Sequence, residues 1–168
     1  TDITIVSGLA YGIDAKAHLS AIKNNLKTVG VIGSGLDFEY PSSNKALYRE
    51  IKEGKGVIIS EFPPNTAPVA YNFPLRNRIV TGISSGTLVA EAAFKSGAMI
   101  SANLTLEQNR ELMCIPGLIS NPNCEGIYHL IKNGASIVTS AQDVFDCLGW
   151  ELEKNEQEIC LEGIEKNI

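Results

Sequence analysis

The chain has 168 residues, of which 44% are hydrophobic, and this is the size and composition of one globular domain with a short extension. Its net charge is −5 at pH 7, and residues 151–168 carry six acidic and two basic side chains, a net of −4. The remaining −1 on residues 1–150 excludes a basic surface over the whole molecule. Any nucleic-acid surface must therefore be a local patch.

No apolar run approaches the roughly 20 residues that span a bilayer, and residues 1–8 lack the basic start of a signal peptide. We therefore expect a cytoplasmic protein with no membrane span. The cysteines form no C-x-x-C pair and only two histidines accompany them, which argues against a zinc site and favours lone buried thiols in a reducing compartment. No cofactor or metal is expected. The cysteines are Cys114, Cys124, Cys147 and Cys160.

Predicted strands and helices alternate along the chain. The strands are predicted at residues 3–6, 28–32, 56–60, 87–90 and 112–115, with an extended piece at 136–139, and the helices at 15–24, 45–52, 74–84, 98–110, 126–133 and 141–148. This alternation predicts an α/β fold with a mostly parallel, Rossmann-like sheet and helices on both faces. We expect one domain over residues 1–148, and an acidic linker or the start of a truncated C-terminal region over 149–168.

Two glycine-containing turns follow the first two predicted strands. Ser7, Gly8 and Gly12 precede the first helix, and Gly33 with Ser34 ends the second strand. A strand, a glycine turn and a helix in this order present backbone N–H groups to a phosphate. Glycines also serve ordinary packing turns, and both interpretations stay open. Neither turn has the third glycine of a G-x-G-x-x-G fingerprint, and no Walker A sequence occurs.

A long loop with three prolines follows the third predicted strand, over residues 61–72. Loops of this length inside compact domains are usually functional. Tyr71 and Phe73 flank its end. Aromatic side chains beside arginines can stack on unpaired bases, and they are also ordinary core residues.

The loop leads into the stretch Asn72–Gly82, which has a proline suited to the first turn of a helix. Arg76 and Arg78 then lie in the opening turns. Cations oppose the positive end of a helix dipole, so we expect an anion such as a phosphate group to offset them. The alternative is that both arginines lie on the surface and pair with Glu61 or Glu91. Because ligands bind beyond the carboxyl ends of parallel strands, we expect the two glycine turns, the arginines and residues 91–97 to converge at one sheet edge.

Taken together, five sequence blocks resemble the DNA-processing protein A (DprA/Smf) family. The first is similar to the family signature S-G-x-A-x-G-I-D-x-x-A-H, and the third to F-P-x-R-N-R-I-I-x-G. The blocks occur in the family's order, and the match runs from about residue 3 to about residue 148. They lie at residues 7–18, 31–41, 73–82, 89–102 and 115–135.

The resemblance implies an extended Rossmann-like domain that binds single-stranded DNA and is not an enzyme. Family members act as dimers and help to load the RecA recombinase onto incoming DNA during natural transformation. The glycine turns and the R-N-R helix are expected to line a pocket for the DNA backbone, with a phenylalanine stacking on a base. In this chain the implied residues are Ser7, Gly8, Gly12, Gly33, Ser34, Phe73, Arg76, Asn77 and Arg78.

Two departures from the family pattern bear on binding. Many relatives have a lysine shortly before the F-P-x-R-N-R block, and Ala70 stands near that place. The family's first strand, with its G-S-R element, would precede Thr1. We therefore expect an exposed sheet edge or apolar face, and weakened DNA binding.

Two other functions stay open. The fold is similar to that of nucleotide phosphoribohydrolases with a P-G-G-x-G-T-x-x-E motif, whose glutamate is the catalytic acid and base. Ser85-Gly86-Thr87 with Glu91 is similar to that motif, but the glutamate falls one residue late and the double glycine is absent. The third possibility is an interaction module with no ligand of its own.

Overall fold

The computed structural model describes residues 3–151, in which six strands alternate with six α-helices. The strands are β1 Thr4–Ser7, β2 Lys27–Ile32, β3 Val57–Ser60, β4 Gly86–Val89, β5 Glu111–Cys114 and β6 Ser136–Ile137. The helices are α1 Ile13–Lys23, α2 Lys45–Glu50, α3 Asn72–Gly82, α4 Gly97–Glu107, α5 Glu125–Lys132 and α6 Ala141–Leu148. The predicted α/β class, the elements and their order are confirmed. No helix within these residues is long and apolar enough to cross a membrane.

The strands form two parallel three-stranded sheets, in the orders β1-β2-β3 and β4-β5-β6. The predicted parallel pairing is confirmed, although the strands of residues 3–151 form two sheets where the sequence predicted one. Within them, β1 is an edge strand that pairs with β2, and β4 is an edge strand that pairs with β5. Helix α3 carries the chain from the first sheet to the second, and it packs on α4.

Element boundaries differ from the predicted ones where local geometry overrides the sequence pattern. Helix α3 begins at Asn72, two residues before the proline, and α4 ends at Glu107, three residues early. Asn109 has a positive φ of 54°, which is incompatible with helix continuation. Helix α2 continues as a π-helical turn through Ile51–Lys55, which ends around Gly54 with φ 99°. Of the predicted acidic linker at residues 149–168, the part from 152 onward lies outside the described residues, while Gly149 caps α6 and Trp150 packs edge-on against Phe145.

Each sheet has its own apolar core. In the second sheet the core joins β4 and β5 to α4 and α5; its buried members are Val89, Ala92, Met99, Ala102, Leu112, Cys114, Ile127, Leu130 and Ala135. In the first sheet it joins β2 to the flanking helices and to the turn after β1; its buried members are Leu9, Ile22, Ile32, Leu47, Tyr48 and Ile51. The first core thus reaches the glycine turn that the sequence identified as a candidate site.

Leu9 fixes that turn to the sheet. Its side chain is fully buried, and its backbone has a positive φ of 56°. It fills the space beside Gly30 in the middle of β2, where a Cβ would overlap Leu9 Cδ1. The missing side chain at position 30 therefore positions the turn between β1 and α1.

We expect Gly30→Ala to lower the free energy of unfolding by about 1–3 kcal/mol, because the added methyl group overpacks the contact with Leu9. Chemical denaturation measures the change. Gly97→Ala is the matched control: Gly97 is exposed at the start of α4, and a Cβ there meets nothing within 4 Å. The control should be neutral or stabilising by up to about 1 kcal/mol. Equal effects of the two substitutions would contradict this role of Gly30.

Candidate functional site

The loops after β1, β2 and β3 meet at the carboxyl edge of the first sheet. Asn44 Nδ2 donates to the Leu9 carbonyl at 2.9 Å and to the Ala10 carbonyl at 3.2 Å. Ser60 Oγ, at the end of β3, donates to the Ser34 carbonyl at 2.6 Å. The two predicted glycine turns therefore lie together, with the amino end of α3 beside them. Residues 91–97, the fourth region that the sequence predicted at this edge, instead follow β4 in the second sheet. There the Ala92 N–H donates to the Asn123 carbonyl, and the Ala92 carbonyl accepts from the Gly126 N–H.

The turn after β1 is closed by a side chain of the chain itself. Asp14 Oδ2 accepts from the Gly8 N–H at 3.0 Å and from the Ala10 N–H at 3.2 Å. Gly12, just before α1, has a φ of 93°, a conformation that favours glycine. Ser7 is the last residue of β1 and is half-buried. Two N–H groups that an open phosphate loop would offer to a ligand are thus already bonded to a carboxylate.

Arg76 lies under this turn and is only 5% exposed. Its Nη1 donates to the Gly8 carbonyl at 2.8 Å and also to the Val31 carbonyl, and its Nε donates to Asn77 Oδ1 at 3.2 Å. A Cβ on Gly8 would stand 2.6 Å from Arg76 Nη2, so only glycine leaves room for the guanidinium. Among residues 3–151, no carboxylate lies within ion-pair distance of Arg76.

Burial lowers the pKa of Arg76 from its ordinary value, and the more distant charge of Asp14 partly offsets that effect. An arginine nevertheless stays charged in a protein. The site therefore contains a cation that is held by neutral carbonyl and amide oxygens. This arrangement favours an anion as an additional partner.

Arg78 lies one position beyond Asn77 and is exposed. Its Nη2 donates to Glu61 Oε2, in the loop after β3. For Arg78 the structure thus shows the ion pair that the sequence offered as an alternative to phosphate binding. Exposed pairs of this kind contribute about 0–1 kcal/mol, so a phosphate group can compete with Glu61 for the guanidinium.

Phe73 stacks on a second aromatic ring, that of Tyr40 in the loop after β2. The centroids of Phe73 and Tyr40 are 5.6 Å apart, with an angle of 17° between the planes. Phe73 also lies against buried Gly33, where a Cβ would stand 2.8 Å from its Cδ1. Ser34 is buried and bonds to β3 through its carbonyl. The signal that could have identified Tyr40 is its position in the loop after β2, at the same carboxyl edge.

His18 is buried behind the turn and connects α1 to the sheet. Its Nδ1 lies 2.6 Å from Thr28 Oγ1, and that hydroxyl donates to the Ile5 carbonyl at 2.9 Å. The hydroxyl proton is therefore used, so Nδ1–H is the donor to Thr28. Burial lowers the pKa of His18 from 6.5, and the charge of Asp14 opposes the shift.

The described residues contain no group of three or more His, Cys, Asp or Glu side chains that could hold a metal ion. Cys114, Cys124 and Cys147 are free thiols; the first two are buried, and the third is half-buried. Burial raises the pKa of Cys114 to about 11, so its thiol stays protonated at neutral pH. Cys160 lies outside the described residues.

Comparison with known proteins identifies relatives over nearly the whole described chain. The family model for DNA recombination-mediator protein A matches residues 1–149. Protein Smf of Escherichia coli is 45% identical over 150 residues, which are 89% of this chain and 40% of that protein. DNA processing protein DprA of Streptococcus pneumoniae is 45% identical over 143 residues, 85% of this chain and 50% of that protein. The chain thus spans about half the length of these curated relatives.

Two solved structures share the fold. The X-ray structure of DNA processing protein A from Streptococcus pneumoniae superposes with a TM-score of 0.81 at 42% identity, covering 90% of this chain and 52% of that one. A structure of DNA processing protein A from Helicobacter pylori, described for its unique single-stranded DNA binding mode, has a TM-score of 0.77 at 31% identity. It covers 86% of this chain and 65% of that one.

The buried histidine gives stability a pH dependence. Because the pKa of His18 is lower in the folded chain than in the unfolded one, the unfolded state binds the proton first as pH falls. The stability that neutral His18 contributes to the folded chain is fully present above about pH 6.5, and it is lost as pH falls from there through the lower pKa of the folded state. We expect the melting temperature to fall between pH 7.5 and pH 5, and His18→Gln to flatten that fall. His129→Gln, at an exposed position, is the control, and an identical pH profile for all three proteins would contradict the assignment.

Proposed function

The chain belongs to the DNA recombination-mediator protein A (DprA/Smf) family, and from this premise we propose that it binds single-stranded DNA at the carboxyl edge of its first sheet. The Helicobacter pylori relative, whose structure describes single-stranded DNA binding, supports the ligand class. The proposed site consists of the turn after β1, the stacked rings of Phe73 and Tyr40, and the first two turns of α3.

The observation that carries the proposal is the buried guanidinium of Arg76. It lies at the sheet edge against Gly8 and bonds to neutral oxygens, with no described carboxylate within ion-pair distance. A phosphodiester would supply the anionic partner. Arg78, two residues further along α3, supplies a second cation at the same end of the helix once Glu61 releases it. Asp14 already accepts hydrogen bonds from two N–H groups of the turn. The contacts to the DNA backbone are therefore made mostly by side chains of the protein.

A strand with unpaired bases fits this edge better than a duplex does. Phe73 and Tyr40 form a stacked pair beside the arginines, and a half-exposed aromatic ring can accept a base only when that base is unstacked from its neighbours. Stacking and phosphate contacts do not depend on base identity. The proposed binding is therefore salt-dependent and nearly independent of sequence.

We further propose that the chain acts in natural transformation, where it protects incoming DNA and loads RecA, and that it works as a homodimer. The support is family membership and the name DNA processing protein that several relatives carry. Because the chain spans about half the length of those relatives, these activities of the whole relatives come to this chain only as proposals.

Binding rather than catalysis is proposed for this chain. Glu91, the residue that a phosphoribohydrolase would use, is exposed in the loop after β4. That loop belongs to the second sheet, whereas Arg76 and the stacked rings adjoin the first.

We expect a fluorescein-labelled oligo-dT to bind saturably, with affinity that falls steeply between low and high salt, as read by anisotropy. Arg78→Gln should lower the slope of log K against log salt by about one. Glu61→Gln should strengthen binding, because it removes the carboxylate that competes for Arg78.

Arg110→Gln is the matched control for these variants. Arg110 is also exposed and bonds to the carbonyl of Gly82, but it directly precedes β5 and so lies at the amino end of the strands. The slope of log K against log salt for Arg110→Gln should equal that of the unaltered chain. No binding by the unaltered chain even at low salt would overturn the proposal, and equal slopes for Arg78→Gln and Arg110→Gln would remove Arg78 from the site.

The enzyme alternative has a separate test. The chain should release no base from a nucleoside 5′-monophosphate over hours at micromolar concentration, as followed by chromatography. Hydrolysis that Glu91→Gln abolishes would establish the alternative instead. Glu125→Gln, at an exposed glutamate at the start of α5, is the control for a contaminating activity.

A further inference from the structure

We propose that the ring which receives a DNA base is Tyr40, and that Phe73 supports it from behind. This inference rests on the proposed function and names the residue that makes its apolar contact. The resemblance to the family implied Phe73 for that contact. The geometry of the two rings in this chain assigns the outer position to Tyr40.

Phe73 is already partly covered by its neighbours. Its Cδ1 and Cε1 lie against Gly33, where a Cβ would be 2.8 and 3.3 Å away, and Tyr40 stacks on it at a centroid distance of 5.6 Å. Phe73 is half-buried as a result. A base that reached Phe73 directly would meet a ring that is already partly covered, whereas Tyr40 is the more exposed ring of the pair.

Tyr40 is exposed, and yet it is held in place. It remains 49% exposed although one side of its ring lies on Phe73. Its carbonyl accepts a 2.8 Å hydrogen bond from the hydroxyl of Tyr48, which is buried in the core of the first sheet. The loop around it is fixed to the turn after β1 through Asn44. An exposed ring on an anchored backbone loses little entropy when a base stacks on it.

The pair of rings also lies next to the positive charges of α3. Phe73 precedes Arg76 by three residues on α3, so the two lie one helical turn apart on the same face. The stack of Phe73 and Tyr40 is therefore adjacent to the cation that would bind a phosphate. Tyr71 is more exposed, at 74%, but it stacks on none of the described aromatic rings and so offers no preformed platform.

The test separates base stacking from phosphate contact by using two fluorescein-labelled strands of equal length, oligo-dT and an abasic tetrahydrofuran strand. The unaltered chain should bind oligo-dT more tightly than the abasic strand. Tyr40→Ala and Tyr40→Leu should weaken oligo-dT binding by about tenfold and leave abasic binding and the salt slope unchanged. Tyr40→Phe should keep the full preference for oligo-dT, because it retains the ring.

Phe94→Ala is the control for loss of an exposed aromatic, since Phe94 packs on His129 beside the second sheet. Tyr40→Leu keeps an apolar side chain against Phe73. A folded Tyr40→Leu variant with weakened oligo-dT binding therefore supports the proposal even if Tyr40→Ala unfolds. Unchanged oligo-dT binding in Tyr40→Leu overturns the proposal and leaves the DNA-binding function standing. A loss in Tyr71→Ala instead also overturns it. Absence of binding to both strands by the unaltered chain overturns both proposals.

Discussion

The candidate site depends on one buried cation. Arg76 donates to the carbonyls of Gly8 and Val31, and so it ties α3 to the ends of β1 and β2. Removing a guanidinium from water is costly, and neutral oxygens repay only part of that cost. The contact also fixes the identity of residue 8, because any Cβ there would collide with the guanidinium. The glycine thus makes room for the arginine, whereas the sequence pattern alone left open whether it served a phosphate or an ordinary packing turn.

Asp14 changes how an anion can be held at this edge. In an open phosphate loop, the free N–H groups before a helix bind the ligand. Here the Gly8 and Ala10 N–H groups donate to Asp14, and the carboxylate fills the position that a phosphate oxygen would take. The turn is therefore closed by the chain's own carboxylate, and the negative charge inside it opposes a second anion at the same point. An anion at this edge is favoured nearer Arg76 and Arg78 than in the turn itself.

Sequence reasoning succeeded for features that depend on local pattern. The alternation of elements predicted the α/β class, and the carboxyl-edge rule placed the two glycine turns and the arginine helix together. It could not separate Arg76 from Arg78: they are two positions apart, yet α3 turns one side chain into the fold and the other to solvent. It also missed Tyr40, because stacking on Phe73 joins residues 33 positions apart in the chain. The division into two sheets depends on strand pairing, which periodicity does not report.

The polar and apolar parts of the site differ in what a ligand must displace. Arg78 is bonded to Glu61 and the turn is bonded to Asp14, so phosphate binding at these groups exchanges one anion for another. Such an exchange has a small net free energy and is weakened by salt. For the half-exposed ring of Tyr40, which stacks on Phe73, the described residues show no ion pair that a ligand would have to displace. Because the net charge outside the acidic end is only −1, the aromatic pair would supply, in the proposed DNA complex, the part of the affinity that salt does not remove.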